Sequence, residues 1–176
     1  MFVKWIYTGE VTSMEPFSRY FNLYIFADLV DIVALRRVIM TQIQDYEEDL
    51  PEYNAVKLAL KNLPQSSPLR AWILDVYISH WEPAYDDCDP YPTDTASDPE
   101  NTLATFMYQV ARGLAVRESV NATGCLCCYS DCEYHEHESK EEWEASMLNR
   151  PFLSRNISLI IDQHVERSRT WRCQTI

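Results

Sequence analysis

The hydrophobic positions of this chain recur at helix spacing from its first residues onward. Three stripes precede residue 46, and each repeats apolar side chains at i, i+3 and i+4, which predicts one face of an amphipathic helix. A helix end at Thr8-Gly9 follows the first stripe, and Asp31 is expected to cap the helix that begins after it. The stripes are Phe2, Trp5 and Ile6; Phe17, Phe21, Tyr24 and Ile25; and Ile32, Leu35, Ile39 and Ile43.

Farther along the chain the pattern predicts a second helical pair and one later helix. A stripe runs from Tyr53 to Leu63, and Ser66-Ser67-Pro68 then supplies a capping hydroxyl and a proline suited to the first helical position. Residues 82–100 are rich in prolines and acids with almost no aliphatic side chains, so they predict a surface linker. A last stripe runs from Leu103 to Leu114. These elements predict a mainly α fold.

The composition fits a folded domain and excludes several classes of function. Of the 176 residues, 47% are hydrophobic and 12% are aromatic, which is enough apolar material for a core. The net charge is −12, and an acidic chain is a poor nucleic-acid ligand because Lys and Arg must neutralise the phosphates. No run reaches the ~18 apolar residues of a membrane span, and no signal-peptide pattern begins the chain. We therefore expect neither nucleic acid nor membrane as partner, and a location in cytoplasm or nucleus.

Two stretches near the start, "FVKWIYTGEV" and "LYIFADLVDIVALRRVIM", resemble the second half of a BTB/POZ domain, particularly that of filamentous fungal proteins. The stretch "ALKNLPQSSPLRAWILDVY" is similar to the helical extension of those proteins, and "CEYHEHES" is similar to a Cys/His-containing tail. The matching positions of the first two stretches are Phe2, Trp5, Ile6, Tyr7, Thr8, Gly9, Leu23, Tyr24, Ala27, Asp28, Ile32 and Leu35.

The resemblance implies a particular organisation of the chain. Its four parts are a partial BTB/POZ-like domain at 1–50, a helical extension at 51–81, an acidic Pro-rich linker at 82–100, and a helical region with a Cys/His-rich loop at 101–176. In the family a β-sheet and the dimerisation helix precede this point, so the resemblance leads us to expect either a misplaced start or a shortened product.

The resemblance also implies a function in protein–protein interaction, as a scaffold or as a component of a ubiquitin-ligase adapter. Homo- or hetero-association with BTB proteins is expected if an upstream half exists. The hydrophobic-x-acid element that contacts cullins has no counterpart here, so a cullin partner is implied by the family only. The expected interaction residues are Trp5, Ile6, Tyr7, Tyr24, Phe26 and Leu35.

The stretch "GCLCCYSDCEYHEH" carries the candidate chemistry. Zinc takes four nitrogen or sulfur ligands, and a C-x-x-C spacing offers two of them from one turn. An intracellular chain is expected to keep its thiols reduced, which would leave them available to a metal. One interpretation of this stretch is therefore a structural zinc site, and the other is an incidental surface cluster in which cysteines pack as small apolar side chains. The candidate ligands are Cys125, Cys128, Cys132, His135 and His137.

If the stretch is a structural zinc site, an alternative function follows, that of a small zinc-stabilised regulatory protein that acts through the loop at 125–137. Catalysis is not expected. Cys132 and His135 are neighbours along the chain, whereas catalytic Cys–His pairs usually meet through the fold. The sequence also contains no serine elbow and no phosphate-binding loop. The sequence thus predicts a binding protein rather than an enzyme.

Overall fold

The computed structural model describes residues 2–11, 16–45, 50–92 and 101–119, together with Tyr134 and Glu136. The chain divides into two units, residues 1–136 and 137–176, and all described residues belong to the first. Seven helices follow one another in the described residues: α1 Phe2–Thr8, α2 Phe17–Leu29, α3 Val33–Asp45, α4 Tyr53–Asn62, α5 Pro68–His80, α6 Tyr85–Cys88 and α7 Thr102–Ser119.

The predicted mainly α fold class is confirmed. Helices hold 75% of the described residues, and no strand occurs among them. The stripes of the sequence correspond to α1, α2, α3, α4, α5 and α7, because a helix repeats its buried face every three to four residues. Within the described ranges, no helix has the length and apolar character needed to cross a membrane.

The turn between α2 and α3 is where the sequence prediction was wrong in detail. Asp31 does not cap α3 but ends α2, with a left-handed backbone (φ 53°). Its N–H donates to the carbonyl of Asp28, and the N–H of Ile32 donates to that of Ala27. These two bonds define a Schellman motif, which normally places glycine where Asp31 stands. The carboxylate of Asp31 therefore does not cap a helix, and it contacts Arg36 of α3.

Helix α4 lies at the centre of the described helices. It packs against α2, α5 and α7, while α3 packs on α2 and α7 packs on α5. Its buried face contributes Tyr53, Ala55, Val56 and Ala59 to one continuous hydrophobic core. Because α2, α5 and α7 all pack on α4, the pair α2–α3 and the pair α5–α7 belong to one body.

Two arginines satisfy the carbonyl groups at helix ends. Arg70 of α5 donates to the carbonyls of Leu60 and Leu63 at 3.3 and 3.0 Å, at the end of α4. Arg117 of α7 donates to those of Ile78 and Ser79 at 3.2 and 2.9 Å, at the end of α5. The last carbonyls of a helix lack partners within it, so each arginine joins two helices by completing an end.

Helix α5 begins at Pro68, as the sequence predicted. The side chain of Ser67 makes no capping hydrogen bond, so the predicted hydroxyl cap is wrong. Proline needs no such acceptor for its own nitrogen and already holds the helical φ angle. The start of α5 therefore has the proline and the bond from the N–H of Ala71 to the carbonyl of Ser67, without a hydroxyl cap.

Residues 82–92 differ from the predicted linker. They contain α6, and Tyr85 is buried against Tyr53 and Tyr77, with ring centroids 5.7 and 6.1 Å apart. Tyr91 also contacts Tyr53, at 5.3 Å. Aromatic rings bury large apolar areas, which an average over prolines and acids conceals. Residues 93–100 lie outside the described residues, as does the predicted helical region after 119 apart from Tyr134 and Glu136.

Candidate functional site

Arg36 of α3 is a buried charge at the centre of a group of carboxylates that are themselves partly or largely exposed. Its side chain is only 7% exposed, a rare position for arginine unless carboxylates pair with it. The guanidinium contacts the Oδ1 atoms of Asp31 and Asp28 at 3.3 and 3.8 Å and donates to the carbonyl of Ala27 at 3.5 Å. The Schellman turn thus directs the end of α2 toward Arg36.

Glu136 completes this cluster from a distant part of the chain. Arg36 donates from Nε to Oε2 at 2.5 Å and from Nη2 to Oε1 at 2.9 Å, which is a two-pronged arginine–carboxylate pair. The Nε atom of Arg37 donates to the backbone carbonyl of Glu136. The hydrogen bond with Glu136 raises the pKa of Arg36 above its usual range, so the guanidinium stays charged.

Tyr134 holds the same short segment at a second point. Its hydroxyl donates to the Oδ2 atom of Asp75 on α5 at 2.7 Å, and its ring is buried. Together with the contacts of Glu136, this bond attaches a segment to α3 and α5 through a phenol and a carboxylate two residues apart. Polar contacts thus hold Tyr134 and Glu136 on two different helices, and we name this set of contacts the anchor site.

A second group of polar contacts is enclosed in the aromatic core. The hydroxyl of Tyr77 donates to the carbonyl of Pro51 at 2.5 Å, and the hydroxyl of Tyr85 lies 3.1 Å from the same oxygen. Burial raises the pKa of Tyr53, Tyr77 and Tyr85, because the phenolate form would lose its hydration. Neutral, buried tyrosines whose hydroxyls already have partners within the protein fit a structural role.

An exposed apolar patch covers α1 and the end of α2. Helix α1 has no buried residue and is held by the ring of Phe2, which contacts the ring of Phe26 at 4.9 Å. Tyr7 is 84% exposed and Leu29 is 82% exposed. We name the following six side chains the apolar patch: Val3, Ile6, Tyr7, Phe26, Leu29 and Val30.

The expected interaction residues fall into two groups. Ile6, Tyr7 and Phe26 belong to the apolar patch, and Trp5 is half-buried beside it. Tyr24 and Leu35 are buried in the core, at 1% and 0% exposure, because they lie on the inner faces of α2 and α3. Their side chains therefore pack the helices together and are not presented to a partner.

The candidate zinc ligands Cys125, Cys128, Cys132, His135 and His137 lie outside the described residues. Within the described ranges, no group of three or more Cys, His, Asp or Glu side chains is arranged to hold a metal. Cys88 at the end of α6 is disulfide-bonded, so the expectation of uniformly reduced thiols is wrong. A disulfide uses two sulfurs, and the other five cysteines of the chain lie outside the described residues.

The sequence reading missed Arg36, Glu136, Tyr134 and Asp75. The tail "CEYHEHES" drew attention for its cysteine and histidines, whereas the structure uses its tyrosine and one glutamate. The adjacent Arg36-Arg37 pair was a usable signal, since it is a basic pair inside a largely apolar helix of an acidic chain. Its acceptor could not be read from spacing, because Glu136 is 100 positions away.

A comparison with protein-family models, with curated proteins and with solved structures finds no match to this chain. The geometry of the described residues defines a helical body that carries the anchor site and, adjoining it at the end of α2, the apolar patch. The resemblance to BTB/POZ proteins remains a prediction from the motifs that carry it.

Proposed function

We propose that this chain is a protein–protein interaction module of the BTB/POZ type, which binds by burying apolar surface. The observation that carries the proposal is the apolar patch. Folded monomers rarely expose contiguous apolar surface, and such surfaces usually mark a binding site.

An amphipathic helix of a partner protein is the occupant that fits the apolar patch. The patch combines exposed side chains of α1 and of the end of α2, two helices that the contact between Phe2 and Phe26 joins. A partner helix with apolar anchors at i, i+3 and i+4 uses such a surface. Helix α1 is only seven residues long, too short to be stable alone, and partner binding would reinforce it.

The BTB/POZ motifs support a finer proposal, a scaffold or a ubiquitin-ligase adapter component. A direct test is the binding of the purified protein to a purified cullin amino-terminal domain, measured by titration calorimetry. Saturable binding that Ile6→Ser weakens would support the adapter role. A scaffold would instead bind its own partners through the apolar patch and show no cullin binding.

The interaction function itself is tested by comparing two double variants of the full chain. Ile6→Ser/Leu29→Ser removes two side chains of the apolar patch. Tyr108→Ser/Val116→Ser removes two similarly exposed side chains from α7 and is the matched control. Surface changes of this kind alter the free energy of unfolding by only about 0.5 kcal/mol, so both proteins should stay folded.

After cross-linking in the native cells, quantitative mass spectrometry should show a defined partner set that the wild type and the α7 control share. We expect the Ile6→Ser/Leu29→Ser protein to lose that set by tenfold or more. Equal recovery with both variants would overturn the proposal, because the partner would then not contact the apolar patch.

A second candidate function is a small zinc-stabilised regulatory protein that acts through residues 125–137. The observation that favours it is the attachment of Tyr134 and Glu136 to the helices. Attachment at these two residues restricts the conformations open to the neighbouring candidate ligands. The spacing of Cys125 and Cys128, followed by Cys132, supplies suitable donors.

Metal analysis of protein purified under reducing conditions tests the second candidate. Reducing conditions matter because Cys88 is disulfide-bonded, and a thiolate rather than a disulfide sulfur binds zinc. We expect about one zinc per chain, lost in Cys128→Ser/Cys132→Ser and retained in Cys173→Ser. Metal retained by the double variant would eliminate this candidate. Deletion of 120–176 separates the two functions, because it should spare binding at the apolar patch and abolish regulation through the loop.

A further inference from the structure

The attachment of Tyr134 and Glu136 resembles the recognition of a short peptide by a protein surface. Three groups of the segment are bound by three side chains of the helices. The Tyr134 hydroxyl donates to Asp75, the Glu136 carboxylate accepts two bonds from Arg36, and the Glu136 carbonyl accepts a bond from Arg37. The phenol is bound on α5, and the carboxylate and carbonyl are bound on α3.

On the helix side of this site, Arg36 is also held by groups that do not belong to the segment. Asp31, Asp28 and the carbonyl of Ala27 surround the Nη1 atom of Arg36, and all three belong to the end of α2. They fix the guanidinium so that its Nε and Nη2 edge points to the Glu136 carboxylate. Arginine presents a rigid planar fork that matches a carboxylate, so a fixed arginine is a specific receptor for one.

The spacing of the contacts defines the ligand. A phenol hydroxyl and a carboxylate must stand two residues apart, with the intervening residue not required by any of the three contacts. Asp75 selects a hydroxyl donor, since a carboxylate accepts hydrogen bonds and phenylalanine offers none. Arg36 selects a carboxylate over an amide, because only the carboxylate accepts from both prongs and carries the opposite charge.

We propose that α2, α3 and α5 form a binding site for Tyr-X-Glu peptides, whose place Tyr134 and Glu136 of this chain take in cis. The site adjoins the apolar patch at the end of α2 but uses none of its six side chains, and it does not depend on the BTB/POZ proposal. A partner protein that presents a Tyr-X-Glu segment would displace the internal copy and occupy the same contacts. Tethering gives the internal copy an effective concentration of about a millimolar, so a free peptide competes only when the internal copy is weakened.

The test uses the full chain with its own segment substituted, Tyr134→Phe/Glu136→Gln, which leaves Asp75, Arg36 and Arg37 intact. The probe is a fluorescent synthetic peptide of residues 130–140 with serine in place of Cys132. A second peptide carries the additional Tyr134→Phe and Glu136→Gln changes and serves as the matched control. Binding is measured by fluorescence anisotropy.

We expect the wild-type peptide to bind the double variant at least about tenfold more tightly than it binds the wild-type chain. The control peptide should not bind, and addition of Arg36→Gln to the variant should abolish binding of the wild-type peptide. Equal affinity for both peptides, or no binding to a folded double variant, would overturn the proposal.

If the Tyr134→Phe/Glu136→Gln variant is unfolded, its refolding on addition of peptide tests the same proposal. A ligand that binds only the native state restores that state by mass action. The wild-type peptide should then recover the helical circular dichroism of the variant, and the control peptide should not. Failure of the wild-type peptide to do so would overturn the proposal.

Discussion

The hydroxyl of Tyr53 on α4 donates a 2.6 Å hydrogen bond to the Oδ1 atom of Asp86 on α6. The same hydroxyl accepts a 3.1 Å bond from Nε1 of Trp81, and the backbone N–H of Tyr53 donates to Asp89 at 2.7 Å. A four-residue helix in an acidic segment is thus attached at both ends to the first residue of α4. Asp86 and Asp89 are therefore structural, although the composition of the segment is typical of a linker.

Replacement of Asp86 by alanine should destabilise the protein. The Tyr53 hydroxyl is buried, and it would lose the acceptor of its own proton, which costs about 1–3 kcal/mol in the free energy of unfolding. Asp87→Ala is the matched control, because Asp87 lies on the exposed side of the same turn and should change stability by about 0.5 kcal/mol or less. Urea unfolding followed by circular dichroism measures both. Equal losses for the two variants would contradict the structural role of Asp86.

The buried tyrosines predict a loss of stability at alkaline pH. Burial raises the pKa of Tyr24 to about 12 from an ordinary value of 10.0. The native state therefore keeps this proton where the unfolded state releases it. The contribution is complete below pH 10 and is lost as the pH rises from 10 to about 12.

A Tyr24→Phe variant isolates this contribution. Its free energy of unfolding should fall less steeply than that of the wild type between pH 10 and about 12, by up to about 1.4 kcal/mol per pH unit. Urea unfolding at several pH values gives the two slopes, and measurements at pH 7 supply the baseline for each protein. Parallel slopes would show that Tyr24 titrates alike in the native and unfolded states.

The left-handed turn at Asp31 predicts an unusual order of substitutions. A side chain with a Cβ atom in this conformation costs about 1–2 kcal/mol, which glycine avoids. We therefore expect Asp31→Gly to be more stable than Asp31→Ala by about 1 kcal/mol, the reverse of their order inside a helix. Both variants lose the same contact with Arg36, so their difference reports the backbone alone. Equal thermal midpoints would contradict the assigned turn.

Gly113 of α7 lies close to Ile78 of α5. We therefore predict that Gly113→Ala changes the melting temperature in opposite directions in the wild type and in an Ile78→Ala variant. A methyl group at position 113 would lie 2.6 Å from Cγ1 of Ile78 and closer still to Cδ1. Gly113→Ala should therefore lower the melting temperature of the wild type, because overpacking costs about 1–3 kcal/mol. In an Ile78→Ala background the obstruction is gone, and alanine's better helix propensity of about 1 kcal/mol should raise the melting temperature. Stabilisation by Gly113→Ala in both backgrounds would show that Ile78 moves aside freely.

The helices could be predicted from sequence because their signal is local. The stripe of Tyr53, Val56 and Leu60 needs only the helical repeat to become a buried face, and Pro68 marks a helix start by its own geometry. Asp31 was misassigned because aspartate suits both a helix cap and a left-handed turn, and only the hydrogen bonds of the folded chain separate them.

The anchor site could not be predicted for a different reason. No spacing along the chain connects Arg36 with Glu136 or Asp75 with Tyr134. Only the fold places α3 and α5 so that Arg36 and Asp75 reach the same short segment. The same holds for Asp86, whose role depends on the position of α4. Such groups look like solvated surface charges until the fold is known.

The contact between Arg36 and Glu136 also has a consequence for the order of folding. The α2–α3 turn closes between near neighbours, whereas the ion pair joins residues 100 positions apart. The entropy lost on closing a loop grows with its length, so this pair forms only after the intervening helices have shortened the path. We expect the Tyr134–Glu136 segment to dock last and, in the native state, to undock without global unfolding. Hydrogen exchange would then find this segment opening more often than the helices that receive it.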